Sequence, residues 1–171
     1  MRILLVGLMG SGKSTVGRRL SARTGWPYLD NDQLVAEVSG RPAPALIADE
    51  GEDALHTIEV AAFELALTKP TPVIIGLAGW LVTDESLRTR IRDAGTVVWL
   101  RAGPDTLLRR TGSGRGRRPE AVSEDWMTRA AAERAPMFED VADLVIDVDR
   151  LEPNQVVQRI LAAVPAADVP G

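Results

Sequence analysis

Residues 7–14 read GLMGSGKS, the stretch of the sequence with the most specific structural meaning. It matches the pattern of a glycine, four variable residues, a glycine, a lysine and a serine, in which glycines let backbone N–H groups turn toward phosphate oxygens. An apolar run at residues 2–6 precedes it, and helix formers follow at residues 13–23. A chance glycine-rich turn is the alternative, which the strand and helix context disfavours. We therefore predict a loop that binds nucleotide phosphates.

The phosphate loop predicts both a nucleotide and a metal ion. Lys13 is placed to reach the β- and γ-phosphates, and the Ser14 hydroxyl is placed to bind Mg²⁺. An Asn-Lys-x-Asp motif, by which GTPases read guanine, does not occur in the sequence. ATP and Mg²⁺ are therefore the expected cofactors. The predicted nucleotide-binding residues of the loop are Gly10, Ser11, Gly12, Lys13, Ser14 and Thr15.

Short apolar runs recur along the chain with helical stretches between them. After residues 2–6, such runs occur at residues 73–75, 96–100 and 144–146, and residues 27–30 are typical of the end of another strand. Residues 51–68 give the longest helical pattern, and an apolar stripe on it is formed by Leu55, Ile58, Ala62 and Leu65. The alternation predicts a three-layer α/β/α fold around a five-stranded parallel sheet. We expect one domain at residues 1–164 and a flexible tail at residues 165–171.

Composition narrows the classes of partner. The 171 residues carry a net charge of −4, which offers no general attraction to nucleic acid or to an anionic membrane. The chain has no cysteine, no apolar run that could span a bilayer and no signal-peptide core at its start. We expect a cytoplasmic protein. Nothing in the sequence marks a dimer interface, so a monomer is expected.

Several further stretches resemble shikimate kinase, in the nucleoside-monophosphate-kinase-like group, over about residues 2–163. The resemblance implies an ATP-dependent kinase that phosphorylates a hydroxyl group of a small molecule. The matching stretches are residues 7–17, 29–32, 40–41 and 50–52 with Glu59, then residues 109–110, 118–119, 133–138 and 141–143.

The resemblance assigns the Asp-x-Asp element after the second strand to the metal and the acceptor. Asp30 corresponds to the carboxylate that helps hold Mg²⁺, and Asp32 to the one that contacts the reacting hydroxyl. Alternate residues that leave a strand project to one side, in agreement with a shared site. The alternative is that Asp32 only caps a helix that begins near Gln33.

The resemblance also assigns the arginines. The glycine-rich segment at about residues 112–123 corresponds to a mobile lid, which brings Arg118 to the transferring phosphoryl group; Arg115 and Arg117 are neighbours that could substitute. Arg110 corresponds to the residue that packs on adenine, with Pro153 on the opposite side.

Arg134 corresponds to an arginine that binds the acceptor carboxylate. The alternative is a surface arginine paired with Glu133 or Glu139. Catalytic roles are thus expected for Lys13, Asp32 and Arg118.

Two departures from the resemblance fall at the acceptor. Where the family has an arginine that grips the carboxylate, this chain has His56, its only histidine, and a neighbouring phenylalanine is replaced by Leu55. A neutral imidazole cannot make the two-pronged contact of a guanidinium, although Glu59 could favour the charged ring. We expect the acceptor to be held by Asp32, His56, Gly79 and Arg134.

The second departure is the turn after the third strand, where residues 76–80 read GLAGW. Only Gly79 remains of a three-glycine turn, and Trp80 adds bulk beside it. Trp80 either packs on the core or lines the acceptor pocket. The remaining tryptophans, Trp26, Trp99 and Trp126, are predicted to be packing residues.

These observations favour a kinase whose nucleotide half is intact and whose acceptor need not be shikimate. A true shikimate kinase with a divergent pocket is the second hypothesis. A nucleotide-binding regulator without catalysis is the third, and the presence of Lys13, Ser14, Asp30, Asp32 and Arg118 argues against it.

Overall fold

The structure, a computed structural model, describes residues 1–111 and 123–164. In these residues it contains five strands: β1 Arg2–Val6, β2 Tyr28–Leu29, β3 Val73–Gly76, β4 Thr96–Arg101 and β5 Leu144–Asp147. The helices in chain order are α1 Lys13–Thr24, α2 Asn31–Ser39, α3 Ala43–Glu50, α4 Glu52–Thr68, α5 Glu85–Ala94, α6 Pro104–Thr111, α7 Glu124–Val141 and α8 Pro153–Ala163.

The five strands form one parallel sheet in the order β2-β3-β1-β4-β5. Strand β1 is therefore central, and the phosphate loop leaves its carboxyl end in the middle of the sheet. Ligands of open parallel sheets bind at this edge, where the chain turns to opposite sides of the first strand. The predicted five-stranded parallel sheet is confirmed.

Each face of the sheet is buried under helices. Along β1, Ile3 and Leu5 face a core formed with α1 and α8, whereas Leu4 and Val6 face a larger core formed with α2 to α7. This alternation follows from the two-residue period of a strand, and burial of both faces explains why β1 is apolar throughout. The predicted three-layer α/β/α arrangement, in which helices cover both faces of the sheet, is confirmed.

Helix α4 begins one residue later than predicted and buries a different face. Gly51 precedes it with a φ of 84°. Leu55 and Ala62 are buried as predicted, but Ile58 and Leu65 are only partly buried at the margin of the larger core. Glu59 is only 1% exposed and lies on the buried face, a position that the apolar stripe did not predict. The predicted stripe included only apolar residues, so it differs by a rotation about the helix axis from the face that is buried.

Tyr28 on β2 packs where two glycines leave room for it. A Cβ atom placed on Gly17 of α1 would lie 2.2 Å from the Tyr28 ring, and one on Gly76 of β3 would lie 2.4 Å from its hydroxyl oxygen. These distances are far below van der Waals contact. Both glycines are therefore required by close approach of the Tyr28 side chain.

Two segments of the sequence lie outside the described residues. They are residues 112–122, which fall between α6 and α7 and contain most of the predicted lid, and residues 165–171, the predicted tail. Across the described ranges, the helices lack the combination of length and apolar character that crossing a membrane requires.

We predict that Gly17→Ala destabilises the protein by about 1–3 kcal/mol, because the new methyl group must displace the Tyr28 ring. A glycine-to-alanine change inside an unobstructed helix should instead stabilise it by roughly 0.5–1 kcal/mol. The sign of the change in the free energy of unfolding therefore distinguishes the two cases. Urea unfolding measures the difference. Arg18→Ala, at an exposed position of the same helix, is the control, and stabilisation by Gly17→Ala would contradict the prediction.

Candidate active site

A cleft of about 810 Å³ opens at the carboxyl edge of the sheet. The phosphate loop with the start of α1, the β2–α2 junction and the turn after β3 line it. Residues of α3, α4, α6 and α7 complete the lining. Of the predicted residues, the cleft brings together Gly10, Gly12, Lys13, Ser14, Thr15, Asp30, Asp32, Gly79, Arg110 and Arg134. It does not include Ser11, His56 or Pro153.

The phosphate loop has the geometry of an anion cradle. Gly10 and Gly12 adopt φ values of 84° and 96°, which favour glycine. The Lys13 ammonium donates hydrogen bonds to the carbonyls of Gly7 at 2.7 Å and Leu8 at 3.0 Å, which holds it over the loop.

The N-terminus of α1 fits a phosphate group. Its N-cap is Gly12, which has no side chain to cap the helix, so the first turn suits an anion. The buried Ser11 hydroxyl oxygen has no hydrogen-bond partner among the described residues, but Ser11 does not line the cleft.

The β2–α2 junction places the two aspartates differently from the capping alternative. Asp30, not Asp32, caps α2, because its Oδ1 accepts a hydrogen bond from the Asp32 backbone N–H at 3.0 Å. The helix begins at Asn31, two residues before the predicted start, and the interpretation of Asp32 as the cap is wrong. Asp32 lies exposed in the first turn, with its side chain at the cleft.

Tyr28 is a cleft residue that the sequence reasoning missed. Its hydroxyl donates a hydrogen bond to Asp30 Oδ2 at 3.1 Å, so the Asp30 carboxylate is engaged at both oxygens. Burial, followed by the negative charge of Asp30, raises the pKa of the Tyr28 hydroxyl well above its ordinary value of about 10. The signal was the two-residue spacing of Tyr28 and Asp30 at a strand end, which places both on one side.

A buried carboxylate organises the wall formed by α4. Glu59 Oε1 accepts a hydrogen bond from the Asn31 side-chain amide at 3.1 Å, and Oε2 accepts one from the Trp80 indole N–H. The network joins the first turn of α2, the middle of α4 and the turn after β3. No local sequence pattern predicts it, since the three residues are far apart in the chain.

His56 neighbours this wall but does not line the cleft. Its ring stacks on the Trp80 ring, with centroids 3.9 Å apart and planes at 20°. Its Nε2 lies 3.3 Å from Glu52 Oε1, one helical turn earlier. The aromatic ring that lines the cleft here is Trp80, which also packs on the larger core, so both alternatives for this tryptophan hold.

The turn after β3 is constrained by the phosphate loop. A Cβ atom on Gly79 would lie 2.8 Å from the Gly7 carbonyl oxygen, so a larger residue cannot occupy the position without movement of the backbone. Leu77 and Ala78 are buried, at 2% and 8% exposure. Gly79 therefore lines the cleft while it packs on the nucleotide half.

The arginines lie at the other side of the cleft. Arg110 donates a hydrogen bond to the Val148 carbonyl at 3.1 Å, which ties α6 to the connection that leads from β5 to Pro153. Pro153 itself begins α8. The Arg134 guanidinium lies over the Trp126 ring, 5.9 Å from its centroid. Trp126 thus lines the cleft as well as packing on the core, whereas Trp26 and Trp99 are buried as predicted.

The predicted metal ligands lie in the same cleft. Ser14 and Asp30 both line it, and no group of three or more His, Cys, Asp or Glu side chains gathers within the described part of the chain. This donor set fits Mg²⁺ in a kinase, which is held by one or two protein groups together with phosphate oxygens. Arg118 and its neighbours Arg115 and Arg117 lie outside the described residues.

Comparisons with known proteins agree with this geometry. The family described as shikimate kinase matches residues 9–165. The shikimate kinase of Symbiobacterium thermophilum is 38% identical over 165 residues, which cover 94% of each chain. The shikimate kinase of Acinetobacter baumannii in complex with shikimate superposes with a TM-score of 0.86 at 28% identity, covering 95% of this chain and 91% of that one. A gluconokinase from Sinorhizobium meliloti, at 20% identity and a TM-score of 0.61, shares the fold.

We predict that Tyr28, the only tyrosine of the chain, stays protonated in the folded protein above pH 10. Because its pKa is raised by folding, the unfolded chain releases the phenolic proton first, and the free energy of unfolding should fall as pH rises above about 10. Near-ultraviolet absorbance of tyrosinate, with parallel urea unfolding, measures both effects. Tyr28→Phe should lack this tyrosinate signal, and a midpoint near pH 10 in the folded wild type would contradict the prediction.

Proposed function

The chain belongs to the shikimate kinase family, and we propose that it transfers the γ-phosphoryl group of ATP to a hydroxyl group of shikimate. Its class is that of a phosphotransferase with an alcohol group as acceptor. The proposal adds the acceptor and the roles of the individual side chains.

One observation carries the proposal. A single cleft contains the phosphate loop residues Lys13 and Ser14, the carboxylate of Asp32 and the guanidinium of Arg134. The groups expected to bind the phosphoryl donor and those expected to bind a hydroxy acid therefore open into the same space. Transfer between two bound molecules needs this proximity, since orientation of the reactants supplies much of the rate enhancement.

The side chains of the cleft divide the work of the transfer. Asp32 orients the acceptor hydroxyl and accepts its proton as the oxygen attacks the γ-phosphorus, while the bond from that phosphorus to the ADP oxygen breaks. Lys13, held over the loop by the carbonyls of Gly7 and Leu8, places positive charge where the phosphates bind. The N-terminus of α1 adds N–H donors to the same region.

Mg²⁺ would be held by the Ser14 hydroxyl and, through water, by Asp30. When bound, it neutralises charge on the phosphate oxygens. Asp30 is already oriented by the Asp32 N–H and the Tyr28 hydroxyl, so its position does not depend on the ion. Arg118 remains a predicted catalytic residue, and Arg110 and Pro153 remain the predicted adenine contacts.

Arg134 is the proposed anchor for the acceptor carboxylate. Its guanidinium stacks near the Trp126 ring, which restricts its orientation and lowers the entropy lost on binding. Shikimate carries one carboxylate and several hydroxyl groups, a set that suits Arg134 and Asp32 together.

A hydroxy acid other than shikimate is the second candidate acceptor. The observation that favours it is Trp80, whose ring lines the cleft beside Gly79, together with the Leu77-Ala78 pair in the same turn. Loss of catalysis is disfavoured, because Lys13, Ser14, Asp30 and Asp32 all line one cleft.

We predict that the purified protein releases ADP from Mg²⁺-ATP in the presence of shikimate, with a KM in the range of about 1 μM to 1 mM. Lys13→Ala should lower kcat by roughly 10²–10³-fold, since it removes charge that stabilises the transferring group. Lys69→Ala alters the only other lysine, which lies on the surface paired with Glu37, and should leave turnover unchanged. Turnover of another sugar acid or cyclitol, with none of shikimate, would favour the second candidate.

We predict that Arg134→Lys raises the KM for the acceptor by about tenfold, because a lysine cannot bind a carboxylate with two parallel hydrogen bonds or stack on Trp126. The KM for ATP should stay unchanged. Steady-state kinetics with each substrate varied in turn measure both constants, and Arg129→Lys, at an exposed position of the same helix, is the control. An equal rise in both KM values would contradict the assignment of Arg134 to the acceptor.

A further inference from the structure

The acceptor half of the cleft is walled by an indole whose orientation is held from several sides. Trp80 follows Gly79 and precedes the short 3-10 helix Leu81–Thr83, and its backbone carbonyl accepts hydrogen bonds from the Thr83 N–H at 2.8 Å and the Thr83 hydroxyl at 2.7 Å. These bonds hold the backbone from which the ring projects. The ring is partly buried and lines the cleft.

The polar edge of this indole is already used. Its N–H donates to Glu59, a carboxylate that is 1% exposed and is held on its other oxygen by Asn31. A buried carboxylate that loses a donor pays a large desolvation penalty, so this bond resists rotation of the ring. What Trp80 can offer to a ligand is therefore apolar ring surface.

One face of the indole is also occupied. The His56 ring stacks on it, and His56 in turn lies beside Glu52, so that any charge on the imidazole faces a carboxylate of its own helix. His56 does not line the cleft, whereas Trp80 does. At this part of the wall the cleft is therefore lined by the indole and not by the imidazole.

The distribution of charged side chains in the cleft favours one position, near Arg134, for an anionic group of the acceptor. Among the described residues that line it, the cations are Lys13 and Arg110 with the phosphate loop, and Arg134 on α7. The carboxylates are Asp30, Asp32 and Glu59. An acceptor with one carboxylate would direct it to Arg134, and the Trp80 wall would meet the rest of the molecule.

We propose that Trp80 determines acceptor specificity in this chain, by packing the ring surface that lines the cleft against the C–H face of a ring-shaped hydroxy acid. This inference rests on the proposed function and names the feature of the acceptor that the cleft selects. The cleft of about 810 Å³ contains both the phosphate loop and the residues expected to bind the acceptor, and the Trp80 ring forms part of its wall. We call this ring surface the platform.

The platform predicts a preference between two acids of equal charge. Shikimate presents a ring with an apolar face, whereas gluconate is an open chain with hydroxyl groups along its length. Burial of apolar surface on the indole should favour the ring, since the gain scales with the apolar area removed from water. Their single carboxylates should be bound alike by Arg134.

The test measures the KM for shikimate, gluconate and ATP in the wild type, Trp80→Ala, Trp80→Phe and the control Trp26→Phe. Trp26 is buried in the core on the other face of the sheet. Trp80→Ala should raise the KM for shikimate by at least about tenfold and reduce the preference over gluconate, with the KM for ATP within about twofold of wild type. Trp80→Phe keeps an aromatic face and should raise it by less than about threefold.

Intrinsic tryptophan fluorescence supplies a second measurement that needs no turnover. Shikimate should change the emission of the wild type and of Trp26→Phe. Because Trp126 also lines the cleft, the comparison is made in the Trp126→Phe background, where the change should be largely lost when Trp80→Phe is added. The comparison holds even where Trp80→Ala fails to fold.

The outcomes distinguish a failure of the Trp80 platform from a failure of the proposed function. An unchanged or lower KM for shikimate in Trp80→Ala, an equal rise in the KM for ATP, or an unchanged fluorescence response when Trp80→Phe is added to Trp126→Phe overturns the platform alone. Absence of phosphorylation of any ring-shaped acceptor by the wild type overturns the proposed function and the platform with it.

Discussion

The turn after β3 passes so close to the start of the phosphate loop that one of its residues, Gly79, has no room for a side chain. The Cβ of a larger residue at Gly79 would lie 2.8 Å from the Gly7 carbonyl oxygen. Nearby, Gly76 leaves space for the Tyr28 hydroxyl, which in turn holds Asp30. The phosphate loop, Asp30 and Trp80 follow the ends of β1, β2 and β3, so this one contact region positions all three at the cleft.

Much of this architecture follows from local sequence patterns. The phosphate loop and the strand segments are each a continuous stretch of sequence. The conformations open to glycine and the two-residue period of a strand therefore suffice to predict their structure. The strand period also predicts that Asp30 and Asp32 lie close together at the carboxyl edge of the sheet. The cap of α2 could not be assigned correctly, because Asp30 and Asp32 are both good capping residues and the choice depends on where β2 ends.

The acceptor wall lay beyond such reasoning. Glu59 is buried in a helix whose apolar residues suggested a different face, and its donors, Asn31 and Trp80, come from two other parts of the chain. A carboxylate at a buried position is favourable only when partners are present, and partners 28 and 21 residues away leave no local trace. The sequence marked His56 as a departure, but only the packing of its ring on Trp80 places it outside the cleft lining.

The Glu59 carboxylate also limits how such a protein can change over evolutionary time. Replacement of Trp80 alone removes one hydrogen-bond donor from a buried oxygen of Glu59, and replacement of Asn31 alone removes one from the other oxygen. Drift toward a new acceptor therefore has to pass through linked substitutions at three separated positions, or through an intermediate of lower stability. Neutral variation should accumulate more slowly at these positions than their distance from the reacting atoms suggests.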